Sequence, residues 1–238
     1  MNWVIKRSKS FPDLHEFKNG MWRSFLDLQF RSILQAEKDL GLDTPQGCVL
    51  DFGAGSQILK QRMTCREYHS VDPNFEATWK SLEEIPQGRQ FDLIAALEVF
   101  EHLRDPANIL QTLTRHQDLG KKIYITTPFL AREHGAPEDF QRWTAEGMKE
   151  LLTSAGYRVE KIVKRGNGVS VVSSYLNFAL FRMLTSRYFV LAVLLAPIAV
   201  ILLLIAHFTL RRSSASFYLG LSVLASKEAD RENSIHKD

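Results

Sequence analysis

The sequence predicts an α/β fold in which a mostly parallel sheet carries helices on both faces. Two observations predict this fold. Short apolar runs alternate with helix-like stretches along most of the 238 residues, and the first run ends at a glycine-rich turn. A third observation adds an element to it. A long apolar segment late in the chain predicts a helical insertion that associates with a membrane.

The predicted strands are short runs of apolar and β-branched residues bounded by turn residues. They cover residues 49–52, 68–71, 91–97, 122–127, 157–163 and 217–226. Helical spacing and helix end signals predict helices at residues 20–40, 106–119 and 144–155. Asp105 is the predicted N-cap of the second helix, with Pro106 at its first position, and Gly156 ends the third.

Composition excludes some functions. The chain has 30 Lys and Arg against 27 Asp and Glu, a net charge of +3, and no basic block, so we predict no nucleic-acid partner. The two cysteines, Cys48 and Cys65, lack the spacing of metal ligands, which indicates a reduced domain that faces the cytosol. The first residues lack the apolar core of a signal peptide. We therefore expect a membrane-associated protein whose folded domain lies on the cytoplasmic side.

The late apolar segment covers residues 188–210, which include no Asp, Glu, Lys or Arg. Its length meets the requirement of about 20 residues for crossing a bilayer, although a buried helix of a soluble domain remains an alternative. A single crossing would place the predicted strand at 217–226 on the far side of the membrane. We therefore expect either a helical hairpin with residues 169–186 as its other arm or helices that lie in the interface. Arginines flank the segment on both sides, at positions 182, 187, 211 and 212.

A group of polar and glycine residues follows the predicted strands. Residues 51–55 read Asp-Phe-Gly-Ala-Gly, and Asp72 ends the next strand about twenty residues later, where dinucleotide-binding folds place a carboxylate on a ribose diol. Glu98-x-x-Glu101-His102 follows the strand at 91–97. A nicotinamide-dependent reductase would need a third glycine where Ile58 stands. The spacing therefore disfavours that alternative.

This ensemble resembles the class I S-adenosylmethionine-dependent methyltransferases over residues 47–165 and 216–227. The resemblance implies a Rossmann-like, seven-stranded sheet with an antiparallel last strand, and a membrane-associated helical insertion before that strand. The implied organisation is an N-terminal helical segment at 1–46, a methyltransferase core at 47–166, the insertion at 167–213, the last strand at 214–227 and a disordered tail at 228–238. Gln57 departs from the family's longer glycine motif.

The resemblance also implies the site. S-adenosylmethionine is the expected cofactor, and the residues expected to bind it are Asp51, Gly53, Ala54, Gly55, Asp72, Leu97 and Glu98. His102 and His134 are the candidate general bases, since a hydroxyl acceptor gains from a group that removes its proton. Glu98, Glu101 and His102 match a pattern implicated in metal binding in quinone O-methyltransferases. On a short helix they would share one face. We assign no metal ligand.

The expected function is therefore a membrane-associated methyltransferase, with O-methylation of a lipid-linked, glycan or other amphipathic acceptor. The segment at 128–144 is similar to a loop in a methyltransferase subgroup found with bacterial cell-surface polysaccharide or lipid-linked glycan genes. A quinone-type O-methyltransferase is one alternative. A membrane-tethered binding module that has lost turnover is the other.

Overall fold

Six strands of the chain form one sheet. The structure is a computed structural model that describes residues 27–135, 138–184, 186–212, 214 and 216–228. The strands are β1 (Gln46–Phe52), β2 (Cys65–Val71), β3 (Leu93–Leu97), β4 (Lys122–Pro128), β5 (Tyr157–Arg165) and β6 (Gly220–Lys227). Their order in the sheet is β2-β1-β3-β4-β6-β5, and β6 runs antiparallel to both of its neighbours. The predicted mixed sheet with an antiparallel last strand is confirmed.

The strand count differs from what the family resemblance implied. The resemblance implied seven strands, whereas the described residues form six, at the six places where apolar runs predicted them. After β2 the chain makes only one isolated bridge, from Val71 to Trp79, before it turns into a short 3-10 helix at Leu82–Glu84. A single bridge leaves β2 at the edge of the sheet.

Five α-helices accompany the sheet in the described part of the chain. They are α1 (Leu28–Asp39), α2 (Pro106–Thr114), α3 (Ala145–Ser154), α4 (Gly168–Leu184) and α5 (Phe189–Thr209). The Asp105 side chain accepts a hydrogen bond from the Asn108 N–H, which confirms the predicted N-cap of α2. That helix ends earlier than predicted, at Thr114. Residues 20–26 of the predicted first helix and residues 229–238 of the predicted tail lie outside the described residues.

The sheet is buried on both faces, because alternate residues of a strand point to opposite sides. In β1, Leu50 belongs to a core cluster on one face and Val49 to a second cluster on the other, and both side chains are fully buried. Ile94 and Leu93 divide in the same way in β3. This explains why the central strands read as almost continuous apolar runs.

The strand directions bring five strand ends to one edge of the sheet. β1, β2, β3 and β4 run parallel, and β5 runs parallel to them because both it and β4 pair antiparallel with β6. Their carboxyl ends, at Phe52, Val71, Leu97, Pro128 and Arg165, therefore share this edge. Helix α4, the first helix of the insertion, begins three residues after β5, so the insertion leaves the sheet from the same edge.

The insertion is a helical hairpin formed by α4 and α5. Ala192 and Ala199 of α5 are buried in a cluster that includes Leu180 of α4. At the base of the hairpin, the Asn167 amide donates hydrogen bonds to the carbonyl of Thr209 (2.7 Å) and to that of Arg212 (3.1 Å). The two ends of the insertion are thus joined, as a return to β6 requires. α5 is the one described helix that is long and apolar enough to cross a membrane.

Candidate active site

The glycine-rich turn after β1 holds its backbone in conformations that favour glycine. Gly53 has φ +73° and Gly55 has φ +52°. The N–H groups of Gly53 and Ala54 donate to the carbonyl of Val71, at 2.9 and 3.3 Å, and thereby connect the turn to the end of β2. The space where a Cβ of Gly53 would stand is filled by Val99 Cγ2, 2.5 Å away, whereas nothing lies within 4 Å of that position at Gly55. The backbone at Gly55 is therefore open to close approach by a ligand.

Asp51 lies beneath this turn as a buried acid. Asp51 is 2% exposed, and its Oδ2 accepts a 2.6 Å hydrogen bond from the Tyr68 hydroxyl. Burial raises the pKa of Asp51 to about 6, and the Tyr68 hydrogen bond offsets part of that rise. A cationic group bound above the turn would favour the ionised carboxylate. S-adenosylmethionine, the expected cofactor, carries an ammonium group of this kind.

Asp72 is close to the turn, and backbone groups already occupy most of its acceptor positions. Oδ2 accepts from the Gly55 N–H at 2.7 Å, and Oδ1 accepts from the N–H groups of Asn74 and Phe75 at 2.8 and 2.9 Å. A carboxylate offers about four lone-pair positions, so roughly one remains. Asp72 thus shapes both the turn and the loop after β2, and its role toward a ribose diol stays a prediction.

A groove beside these residues has the size of a small-ligand site. It has a volume of about 450 Å³ and is lined by residues 55–57, Lys60, Gln61, Phe75 and Glu76. Its wall includes the open backbone at Gly55, and the Asp72 carboxylate accepts the N–H of the same residue. The open backbone at Gly55, the nearby Asp72 carboxylate and the buried Asp51 beneath the turn fit a site for the predicted cofactor.

Glu98 follows β3 in the left-handed region, with φ +54°. Its Oε1 accepts a 2.7 Å hydrogen bond from Arg165 Nη2, and its Oε2 accepts one of 2.8 Å from Gln29 Nε2. Leu97, the other residue predicted at this position, is the half-buried end of β3. The sequence offered no signal for Arg165 or Gln29, since both contacts join residues more than 60 positions apart.

The expectation that Glu98, Glu101 and His102 share one helical face is wrong. The only helical residues here are the 3-10 turn Phe100–His102, and Glu98 precedes it with a left-handed backbone. The spacing rule of a helix does not apply to a residue outside the helix. His134 from the loop after β4 joins Glu101 and His102 instead, and their rings lie 5.0 Å apart, edge to face.

Glu101 is the buried centre of this cluster. Its side chain is fully buried, and Oε1 lies 3.7 Å from Nε2 of His102 and 3.7 Å from Nε2 of His134. Neither carboxylate oxygen has a hydrogen-bond partner among the described residues. Burial raises the pKa of Glu101. His102 Nδ1 lies 2.5 Å from the carbonyl of Glu138, an oxygen that can only accept, so Nδ1 carries a proton.

His134 is the more accessible of the two histidines, since its side chain is 36% exposed against 9% for His102. Burial by itself lowers the pKa of His134. The nearby Glu101 carboxylate and the charge of Asp139 outweigh burial, so the pKa is raised overall. A raised pKa makes the neutral imidazole a stronger base.

The loop that carries His134 is held by Asp139, whose side chain is 1% exposed. Asp139 Oδ2 accepts the His134 N–H at 2.8 Å, and both carboxylate oxygens pair with the Arg142 guanidinium. Arg142 therefore fixes the loop. Residues 136 and 137 of this loop lie outside the described residues.

Glu101, His102 and His134 could also hold a metal ion. One carboxylate oxygen and two imidazole nitrogens lie within 4.8 Å of one another. Two histidines and one carboxylate form a donor set that Zn²⁺ accepts. The sequence-based assignment of no metal ligand stays a prediction.

Comparison with known sequences identifies the family. A family model described as a methyltransferase domain matches residues 22–161, more than half of the chain. Ubiquinone biosynthesis O-methyltransferases of Pseudomonas putida are similar. That of strain W619 is 26% identical over 33% of this chain and 43% of its own length, and that of strain GB-1 is 24% identical over 51% and 56%. The chain spans about half the length of the curated relatives it matches.

Solved structures share the fold. An S-adenosylmethionine-dependent methyltransferase from Mesorhizobium loti has a TM-score of 0.50 and 13% identity, and the match covers 84% of this chain and 100% of that one. Another from Clostridium acetobutylicum has a TM-score of 0.50 and 10% identity, over 88% and 97%. With the family match and the glycine turn at the strand ends, these findings establish that the chain belongs to the class I S-adenosylmethionine-dependent methyltransferases.

Proposed function

We propose that this methyltransferase acts at a membrane surface and transfers a methyl group to a hydroxyl of a lipid-linked, glycan or other amphipathic acceptor. The observation that carries the proposal is the position of the apolar hairpin. It leaves the sheet after Arg165, at the edge where the glycine turn, Asp72 and Glu98 lie. A membrane bound by the hairpin would thus lie near the strand ends that carry the candidate active site, rather than on the far side of the sheet.

The outer face of α5 supports a lipid partner. Exposed apolar side chains extend along the whole helix, from Val190 (71% exposed) through Leu194 (68%) to Phe208 (86%). A contiguous exposed apolar surface is rare on soluble monomers and marks an interaction site. At 1.5 Å per residue the 21 residues of α5 extend about 32 Å, similar to the hydrocarbon thickness of a bilayer.

The hairpin also contacts the loop after β4, which carries His134. The Arg132 guanidinium lies 4.2 Å from the centre of the Phe178 ring, in the middle of α4. Arg132 is two residues from His134, so the lipid-facing element and the candidate base are neighbours. An acceptor with an apolar anchor in the membrane could present its polar head to this loop.

In the proposed reaction the cofactor supplies an activated methyl group, and the chain positions the acceptor and removes its proton. His134 is the proposed general base, because it is partly exposed and has a raised pKa. His102 and Glu101 lie beneath it and orient the cluster. The two free thiols, Cys48 and Cys65, are consistent with a reducing, cytoplasmic location of this domain.

Vesicle flotation tests the membrane proposal. The full chain is mixed with anionic phospholipid vesicles, and the variant Leu194→Asp/Ile201→Asp alters only exposed positions of α5. We expect the wild type and the control Leu119→Asp, at a 61% exposed site away from the hairpin, to float with the vesicles. The double variant should remain at the bottom of the gradient while it binds the cofactor normally. Equal flotation of all three proteins would contradict the proposal.

Labelling of single cysteines tests the path of the hairpin. Gly168→Cys and Ser214→Cys stand at its two ends, in a chain whose native cysteines are replaced by serine. Because Asn167 joins both ends of the insertion, we expect both sites to react with an impermeant reagent from the same side of the vesicle. Labelling from opposite sides would rule out a hairpin that returns to one surface.

A quinone-type O-methyltransferase is the second candidate, and the similarity to the Pseudomonas putida enzymes favours it. An isoprenoid quinone also has a polar head on an apolar tail, so the membrane surface would serve it equally. Release of S-adenosylhomocysteine separates the candidates when extracted quinone intermediates with a free ring hydroxyl are compared with lipid-linked glycans. Turnover only with the quinone fraction would replace the first candidate by the second.

A further inference from the structure

Arg165 is the last residue of β5, and its side chain is fully buried. The two terminal nitrogens of its guanidinium donate four hydrogen bonds, whereas Nε has no partner among the described residues. Nη2 donates to Glu98 Oε1 at 2.7 Å and to the Thr127 carbonyl at 3.0 Å, and Nη1 donates to Ser32 Oγ at 3.2 Å. This one side chain therefore connects β5, the end of β4, helix α1 and the residue after β3.

The fold leaves a space for this guanidinium. A Cβ at Gly220, the first residue of β6, would collide with Arg165 Nη2 and with the Thr127 carbonyl. Any other residue at this position would displace the guanidinium or the strand. The close approach of Gly220 is thus a requirement of the ion pair.

Glu98, the partner of Arg165, stands beside the glycine turn in a conformation that costs free energy for a residue other than glycine. Its N–H donates to the Thr126 carbonyl and to Thr126 Oγ1, both at 3.0 Å. The next residue, Val99, fills the space above Gly53. Such a backbone persists only where its surroundings determine it.

We propose that Arg165 is a positioning residue for the cofactor, which acts through Glu98. Its guanidinium orients and immobilises the Glu98 carboxylate beside the glycine turn, while Gln29 binds the other oxygen. Each oxygen keeps lone pairs for a donor group of the cofactor. This inference rests on the predicted place of Glu98 in the cofactor site, and it adds a residue that touches neither reactant.

The test compares Arg165→Lys, Glu98→Gln and the double variant in the full chain, by titration calorimetry with S-adenosylmethionine and by urea unfolding. Lysine keeps the charge but loses the planar fork. We expect each single variant to raise the Kd about tenfold, as the loss of a charged hydrogen bond does, and the double variant to bind no more weakly than either single one. Arg158→Lys, at an exposed position of the same strand, should leave the Kd unchanged.

The outcomes distinguish the assumption that Glu98 binds the cofactor from the proposal that Arg165 positions Glu98. A wild-type Kd in Glu98→Gln would remove Glu98 from the cofactor site and overturn the inference with it. A raised Kd in Glu98→Gln with a wild-type Kd in Arg165→Lys would overturn the positioning role alone, even if the lysine variant is less stable. If Arg165→Lys does not fold, Arg165→Met combined with Glu98→Gln removes both charges. It should bind as Glu98→Gln does, and a further tenfold loss would contradict the proposal.

Discussion

Asp51→Asn should stabilise the protein and weaken cofactor binding at the same time. Asp51 is 2% exposed, and burial raises its pKa to about 6, so its ionised form destabilises the folded protein at neutral pH. Asparagine has nearly the same shape and can still accept the Tyr68 hydrogen bond, but it carries no charge. Since the cofactor is a cation, the same substitution removes a favourable charge from its site.

The magnitude follows from the pKa. The rise from 3.8 to about 6 is roughly 2 units, each worth about 1.4 kcal/mol, so the ionised carboxylate costs up to about 3 kcal/mol. The folded state binds the proton more tightly than the unfolded state. The stability contributed by this group therefore falls as the pH rises from about 4 to about 6, and the penalty is complete at pH 7. The variant should gain most of this free energy at neutral pH and little near pH 4.

The assay is urea unfolding of the full chain at fixed detergent concentration without cofactor, at acidic and at neutral pH, together with calorimetric titration of the cofactor. Asp92→Asn is the matched control, because the Lys121 ammonium and the Cys48 N–H lower the pKa of Asp92. The same substitution there should destabilise the protein at neutral pH. A loss of stability in Asp51→Asn at neutral pH, or an equal gain at both pH values, would refute the reasoning.

Three further predictions concern the site. Asp72→Asn should raise the cofactor Kd about tenfold in calorimetry, because asparagine has only one acceptor oxygen and cannot accept both from the Gly55 N–H and from the N–H groups of Asn74 and Phe75. Glu101→Gln should lower the pKa of His134 and move the acidic limb of the kcat/KM profile to lower pH; an unmoved limb would exclude His134 as the base. Gly53→Ala should cost about 1–3 kcal/mol of unfolding free energy, more than Gly55→Ala, since only the first Cβ enters filled space.

Much of the fold was predictable because its signals are local. The glycine turn after β1, the strand bounds within a few residues and the N-cap of α2 all follow from neighbouring residues that share one element. The absence of the seventh strand that the resemblance implied was not predictable, because an edge strand depends on pairing, and residues 72–81 pair through a single bridge. The contacts of Glu98 with Arg165 and Gln29 were not predictable either, because they join residues far apart in the chain.

The sequence alone determined the order of elements, the residues at the strand ends and the place of a long apolar segment. Apolar periodicity and turn chemistry act over a few residues, so they can be read along the chain. Tertiary structure decided which side chains meet. Glu101 meets His134 and Glu98 meets Arg165 because parallel strands deliver their ends to one edge of the sheet, however far apart they lie in the chain.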